Sequence, residues 1–182
     1  MNWFDYFTYD ATTGDLIWQP RPREHFPFTK GWRMWNTRYS GSVAGSKSYA
    51  HLSKRPHRIA INIRMPDGSR INDGAHRIIW EMFNGTIPKG MMVDHEDGNP
   101  FNNLLSNLRL ATPGQNCMNG AMRKTNKARI KGVRIHRNGK WEARIRINRR
   151  LISIGFYDFK CLAAVAYAKS ALRYHGPFAR FA

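Results

Sequence analysis

One stretch of the chain gathers side chains suited to proton transfer and to metal binding. Asp94 and His95 are adjacent, Asn107 follows the histidine by twelve residues, and Asn116 follows it by twenty-one. A neutral imidazole can take a proton near pH 7. Carboxylate and amide oxygens are hard ligands of the kind that Mg²⁺ and Mn²⁺ prefer. These four residues form the candidate chemical group of the sequence.

A strand, a loop, a second strand and a helix must position this group. The segment 91–99 is an apolar run that ends in a turn signal, and residues 107–111 predict a second strand. Thr112 is a helix N-cap residue followed by Pro113 at the first helical position, so a helix carrying Asn116 is expected there. Because adjacent strand residues point to opposite faces, Asp94 and His95 can converge only if the first strand ends at that point.

The spacing of these residues resembles that of the HNH endonucleases, a family that folds as a ββα-metal motif. The resemblance rests on Asp94-His-x-Asp-Gly-Asn99 and on Asn107-Leu-Arg-x-x-Thr-x-x-x-Asn116. The chain is most similar to the branch found in phage and intron-encoded homing endonucleases, over about residues 4–119. A lone histidine is more often a surface or capping residue, but partners at matching spacing favour a catalytic role.

The resemblance implies that the chain hydrolyses phosphodiester bonds with one histidine and one metal ion. It implies that His95 is the general base and that Asn107 orients it through a side-chain hydrogen bond. It also implies that Asp94 and Asn116 hold Mg²⁺ or Mn²⁺. The family often has histidine at the last position, so Asn116 shifts the preference further from softer metals.

Other polar residues near the group are interpreted as structural. Asn99, Asn102 and Asn103 suit a loop because asparagine tolerates turns and bonds its own backbone. His76 begins an apolar helical pattern that ends at Asn84-Gly85, and the sequence offers this histidine no partner for chemistry.

The first 75 residues predict a β-rich region. Residues 7–18 alternate apolar and polar side chains around a Thr-Gly turn and predict a hairpin, and residues 58–71 predict another. The segment 19–58 is expected to be a long basic and aromatic loop that is functional or mobile. Arg33 and Arg38 in this loop are candidate DNA contacts, although the aromatic residues beside them could simply pack.

The last third of the chain predicts a three-stranded antiparallel sheet backed by one helix. Three period-two runs are separated by turns, of which Asn138-Gly139 is the strongest hairpin signal. One face of the sheet is expected to pack into the core. The side chains expected on this face are Trp141, Ala143, Ile145 and Ile147, together with Val133, Ile135, Ile152 and Ile154. After Asp158 as N-cap, the predicted helix stripe comprises Phe159, Leu162, Ala163, Ala166 and Tyr167.

These runs resemble the AP2 DNA-binding domain, which lays a three-stranded sheet in the major groove, over about residues 129–181. The resemblance implies that Arg134, His136, Arg144 and Arg146 face DNA, in agreement with the period-two pattern. The alternative is an ordinary solvated sheet face. Ser153 and Arg144 depart from the plant proteins, so no plant-type target sequence is inferred.

The charge is distributed unevenly. The chain of 182 residues carries 30 lysines and arginines against 12 acids, a net charge of +18. Residues 1–75 carry +5, residues 76–117 carry −1 and residues 118–182 carry +14. A near-neutral centre between two basic segments favours a cleavage site flanked by two nucleic-acid-binding segments. The alternative is a surface charge that only keeps the protein soluble.

Composition also excludes several classes. Cys117 and Cys161 are far apart and form no CxxC pair, which argues against a disulfide framework or a four-cysteine zinc site. The acidic first twenty residues and the absence of a long apolar window argue against a signal peptide or a membrane span. We therefore expect a protein of the cytoplasm of a bacterial or phage-infected cell.

The sequence thus predicts an α+β protein. The expected parts are N-terminal β-hairpins over residues 1–75, a central ββα-metal (HNH) core over 76–119, a basic linker over 120–130, and over 131–182 an AP2-like domain with a three-stranded antiparallel sheet packed on one helix. The expected function is a Mg²⁺-dependent or Mn²⁺-dependent endonuclease of homing type that acts on double-stranded DNA. The alternatives are a non-catalytic DNA-binding regulator and, with less support, an RNA-binding protein. The sequence does not choose between monomer and dimer.

Overall fold

The computed structural model describes residues 2–49, 56–122 and 125–181. Residues 50–55 of the predicted loop and residues 123–124 of the predicted linker lie outside this set. The chain forms two compact units, residues 1–110 and residues 111–182.

The first unit opens with the predicted hairpin. Strands β1 (Phe7–Asp10) and β2 (Asp15–Trp18) pair antiparallel, so that Phe7 lies opposite Trp18. The Asp10 side chain accepts a hydrogen bond from the Thr12 backbone N–H at 2.8 Å, which stabilises the turn. Phe7 and Leu16 are fully buried, so the hairpin contributes directly to the core of the unit.

The predicted loop contains a helix that the sequence pattern did not indicate. Helix α1 spans Thr29–Tyr39 and has no fully buried residue. It is held by polar contacts, because Trp32 Nε1 donates to the Arg21 carbonyl at 2.8 Å and the Asn36 amide bonds both backbone groups of Arg21. The Arg21 guanidinium lies 5.3 Å from the centre of the Trp35 ring. Trp32, Trp35 and Tyr39 do recur on one helical face, but this short aromatic stripe stands among basic and polar residues, and the segment was interpreted as a loop.

A three-stranded sheet and a helix follow. Strands β3 (Ser46–Tyr49), β4 (Pro56–Arg64) and β5 (Arg70–Gly74) pair antiparallel in sequence order, which confirms the predicted second hairpin. Helix α2 (Ala75–Asn84) begins directly after β5 and ends at Gly85, whose φ of 78° suits a glycine C-cap. The unit's largest fully buried side chains are Phe7, Leu16, Ile61, Ile78 and Ile79.

The predicted order of strand, loop, strand and helix is confirmed in the central segment. Strands β6 (Met92–His95) and β7 (Leu108–Ala111) form a two-stranded sheet. Helix α3 (Pro113–Asn119) begins after Thr112, which forms a capping box with Gln115. The first unit ends at Leu110, so α3 belongs to the second unit.

The second unit contains the predicted three-stranded sheet packed on one helix. Strands β8 (Val133–Ile135), β9 (Trp141–Ile147) and β10 (Arg150–Tyr157) are antiparallel with β9 in the centre. Helix α4 (Lys160–His175) covers one face. Among the described residues, no helix has both the length and the apolar character needed to cross a membrane.

Several predicted core positions of this unit are exposed. Ile135 and Ile152 are 56% and 45% exposed, and Phe159 and Leu162 on the predicted helix stripe are also exposed. A bulge between Ser153 and Gly155 shifts the strand register, which the period-two pattern could not indicate. The side chains that α4 buries recur every four residues, namely Ala163, Tyr167, Ala171 and His175. Phe159, rather than the predicted Asp158, is the N-cap residue of α4.

Candidate active site

Strand β6 ends at the two residues that the spacing singled out. Asp94 and His95 are its last residues and are only 6% and 8% exposed. The Gly98 N–H donates to the His95 carbonyl at 2.9 Å, and Gly98 has a φ of +70°, so the chain turns immediately after the strand. The expected end of the strand is therefore confirmed.

Asp94 forms an ion pair with an arginine on the partner strand. Arg109 Nε lies 3.1 Å from Asp94 Oδ2, and both side chains are largely buried. Glu96 is a more distant partner of the same guanidinium, at 4.0 Å. The arginine therefore balances the charge of a carboxylate that would otherwise be costly to bury. Sequence reasoning gave Arg109 no role, although it stands in the motif that carried the resemblance.

His95 is hydrogen-bonded to an asparagine of the connecting loop. Its Nε2 lies 3.0 Å from Oδ1 of Asn103, which is 3% exposed. Because an amide oxygen can only accept, Nε2 carries the proton in this pair and the basic lone pair lies on Nδ1. Asn103 was expected to be only a loop residue, and Asn107 was expected to bond His95. In the structure Asn103 makes this hydrogen bond to His95 instead.

Asn107 instead holds the loop together. Its Oδ1 accepts from the Asp97 N–H at 3.0 Å, and its Nδ2 donates to Asp97 Oδ1 and to the Asn102 carbonyl. Burial opposes ionisation of Asp97, but hydrogen bonds from the Asn99 backbone and from the Asn102 and Asn107 side chains outweigh it and lower the pKa of Asp97. Asn107 thus fixes the turn that follows His95, and its bonds are to the loop.

The N-terminal hairpin supports the same loop. A Cβ on Gly14 would lie 2.6 Å from the Leu104 nitrogen and 2.7 Å from the Asn103 carbonyl carbon, so only glycine permits this approach. The Leu105 N–H donates to the Tyr9 hydroxyl at 2.8 Å. The hairpin therefore fixes the backbone on which Asn103 stands.

A second histidine packs against His95. The ring centroids of His76 and His95 are 5.0 Å apart at an interplanar angle of 50°. Burial and, to a lesser extent, the nearby His95 lower the pKa of His76 to about 4. Sequence reasoning missed this contact because the two residues lie on different elements, and no local signal could have indicated it.

The predicted DNA contacts lie at exposed or half-exposed positions. Arg134 and Arg146 are exposed on the second unit, and Arg144 is half-buried. The ring of His136 packs edge-on against Phe156 at 4.9 Å. Glu142, expected on the charged face, is buried and accepts from Arg134 Nε at 2.5 Å. In the first unit, Arg33 and Arg38 are exposed on α1.

Comparisons with known proteins agree with the geometry of the central segment. A family model described as HNH endonuclease matches residues 73–118, which include β6, β7 and most of α3. Protein 3.8 of Escherichia phage T7 is 33% identical over 136 residues, which are 74% of this chain and 98% of that protein. The chain belongs to the Protein 3.8 family and contains an HNH endonuclease domain.

Two further relatives match shorter stretches. The Uncharacterized HNH endonuclease L560 of Acanthamoeba polyphaga mimivirus is 48% identical over 60 residues, 32% of this chain and 30% of that protein. The SPbeta prophage-derived protein YosQ of Bacillus subtilis (strain 168), which is named as an HNH homing endonuclease, is 46% identical over 43 residues, 24% of this chain and 25% of that protein. No solved structure matches the chain significantly.

The donor chemistry of the two expected metal ligands, one carboxylate and one amide oxygen, suits a hard divalent cation. Asp94 offers a buried carboxylate, and Asn116, exposed on α3, offers an amide oxygen. Among the residues that the structure describes, no three His, Cys, Asp or Glu side chains gather into a metal-binding group. The proposed donors are accordingly one carboxylate and one amide, a sparse oxygen set that water and phosphate oxygens would complete.

Proposed function

We propose that the chain is a metal-dependent DNA endonuclease that hydrolyses phosphodiester bonds, with site specificity of the homing type. The observation that carries this proposal is the buried Asp94-His95 pair at the end of β6, inside the HNH match, with the His95 ring fixed by Asn103. A buried, oriented imidazole beside a charge-balanced carboxylate is suited to hydrolysis of a phosphodiester.

His95 is the proposed general base. With Nε2 donating to Asn103, Nδ1 takes a proton from the attacking water. The water oxygen bonds to phosphorus, the bond from phosphorus to the 3′ oxygen breaks, and the leaving oxygen takes a proton from a solvent water molecule. Asn103 keeps the ring in this tautomer and orientation, as a second polar group commonly does for a catalytic histidine.

Asp94 and Asn116 are the proposed ligands of Mg²⁺ or Mn²⁺. When bound, such an ion stabilises negative charge on the phosphate and on the leaving oxygen. Arg109 orients Asp94, since its guanidinium donates to Oδ2 of that carboxylate. Asn107 maintains the turn between His95 and Asn103 through its bonds to Asp97 and Asn102.

The second unit is the proposed binding unit for double-stranded DNA. The segment 118–182 carries +14, and the AP2 resemblance assigns Arg134, His136, Arg144 and Arg146 to the major groove. The exposed Arg33 and Arg38 on α1 are further proposed contacts in the first unit. One site attacks one strand, so a single copy nicks, and a double-strand break needs two copies or two successive cuts.

A supercoiled-plasmid assay with and without Mg²⁺ tests the proposal. We expect Mg²⁺-dependent nicking by the wild-type chain and its loss in His95→Ala, with DNA affinity almost unchanged. His57→Ala is the matched control, because His57 is an exposed histidine of the same unit. DNA binding with no cleavage by the wild-type chain under any divalent ion would favour the alternative, a non-catalytic DNA-binding regulator.

A further inference from the structure

We propose that His76 is a positioning residue for His95, holding the imidazole of the base by ring packing rather than by a hydrogen bond. This inference rests on the proposed role of His95 as the general base. The ring centroids are 5.0 Å apart, which is within the range of packed aromatic pairs. His76 therefore bounds the space in which the His95 ring can rotate, while Asn103 holds its Nε2.

The placement of His76 is itself tightly determined. His76 is the second residue of α2, and Ile78 and Ile79 on the same helix are fully buried. On the side of β5, a Cβ on Gly74 would lie 2.4 Å from His76 Cε1 and 2.7 Å from its Nδ1. The imidazole thus occupies the space that a side chain at Gly74 would need. The ring is confined between this backbone and His95.

The contact between the His76 and His95 rings is a packing contact and not a hydrogen bond. His76 Nδ1 is buried and has no hydrogen-bond partner among the described residues. The titratable and charged groups that act on the ring are His95, Asp73, Arg77 and Arg58, and burial is the largest influence that lowers the pKa of His76. A neutral ring adds no positive charge beside the base. A phenyl ring of similar shape should therefore perform the same task.

Kinetics on a supercoiled plasmid with Mg²⁺ test this inference. In His76→Ala we expect kcat to fall about tenfold to a hundredfold with KM almost unchanged, because a misplaced base loses orientation without losing DNA contacts. In His76→Phe we expect kcat within about threefold of wild type. Arg77→Ala is the matched control, since Arg77 is the next residue of α2 and pairs with Asp73 on β5.

A glycine variant tests the same point without altering either histidine. Gly74 has a φ of −82°, which alanine tolerates, so Gly74→Ala acts mainly by displacing the His76 ring. We expect it to lower kcat as His76→Ala does. If His76→Ala proves unfolded by circular dichroism, Gly74→Ala and His76→Phe still decide the question.

The ring-proton NMR signals of His95 give a readout that does not depend on cleavage. We expect these signals to move in His76→Ala, through loss of the neighbouring ring current, and to stay near their wild-type positions in Arg77→Ala. A folded His76→Ala protein with wild-type kcat overturns the positioning role, as does an inactive His76→Phe. If His95→Ala still cleaves, the proposed function itself fails and the positioning role falls with it, even where the NMR contact persists.

Discussion

Nε2 of His95 lies 3.0 Å from Oδ1 of Asn103, so the orientation of the proposed base depends on a loop asparagine eight residues further along the chain. Asn103 is buried, and the backbone around it is held by the N-terminal hairpin through Gly14 and Tyr9. The hairpin, the loop and the end of β6 thus together position the His95 ring.

Asn103→Ala should lower kcat for plasmid cleavage by about tenfold to a hundredfold, because His95 loses the bond that fixes its tautomer and orientation. Asn102→Ala is the matched control, since this neighbouring amide bonds Asp97 and not the histidine. The measurement is single-turnover cleavage at saturating protein. Equal losses in the two variants would show that the effect comes from the loop as a whole.

Arg109→Ala should destabilise the protein by about 3 kcal/mol, because it removes the ion pair between Arg109 and the buried Asp94 carboxylate. Urea unfolding at pH 7 measures this loss. Arg77→Ala, which removes a more exposed i, i+4 pair with Asp73, should cost only about 0.5 kcal/mol. A loss of the same small size in Arg109→Ala would contradict the burial of the Asp94 pair.

The free energy of unfolding should fall as pH is lowered from about 6.5 to about 4. Over this window the unfolded chain protonates His76, whose ordinary pKa is 6.5, while the folded chain keeps it neutral because its pKa is lowered to about 4. Below pH 4 the loss in the free energy of unfolding reaches about 3 kcal/mol. His76→Phe should flatten the pH dependence of urea unfolding over the same window. An unchanged slope would mean that this histidine titrates normally.

Gly14→Ala should cost more stability than Gly68→Ala. Both glycines have positive φ, at 79° and 86°, so both substitutions strain the backbone by about 1 kcal/mol. Only at Gly14 would the new Cβ also overlap the backbone of Asn103 and Leu104, and such overlap adds about 1 to 3 kcal/mol. Thermal unfolding compares the two variants, and plasmid cleavage should fall in Gly14→Ala alone. Similar Tm values would argue against close packing of the hairpin on the loop.

Arg146→Ala should weaken DNA binding and reduce the slope of log affinity against log salt by about 1, as expected for one lost phosphate contact. Arg173→Ala on α4 is the control, because it removes the same charge from the helix and not from the sheet. Fluorescence anisotropy with a labelled duplex at several salt concentrations measures both slopes. Equal slopes of log affinity against log salt in wild type and Arg146→Ala would refute the proposed role of the second unit in DNA binding.

Local signals were sufficient for much of the fold. The hairpins at residues 7–18 and 58–71, the β6, β7 and α3 order, and the C-terminal sheet with its helix follow from periodicity, turn residues and caps. The same signals place Asp94 and His95 at a strand end, since the turn at Gly98 comes directly afterwards. These features depend on residues that are near each other in the chain, and a sequence pattern records such relations.

Contacts between distant elements could not be predicted in this way. Helix α1 is held by contacts to distant residues, since Trp32 and Asn36 bond the backbone of Arg21 and Trp35 packs against Trp18. The loop after β6 offers several asparagines of equal chemistry, and only packing against Gly14 places Asn103 rather than Asn107 at the His95 ring. His76 meets His95 for the same reason. The residue types thus specify which chemistry is available, whereas three-dimensional packing selects which side chains perform it.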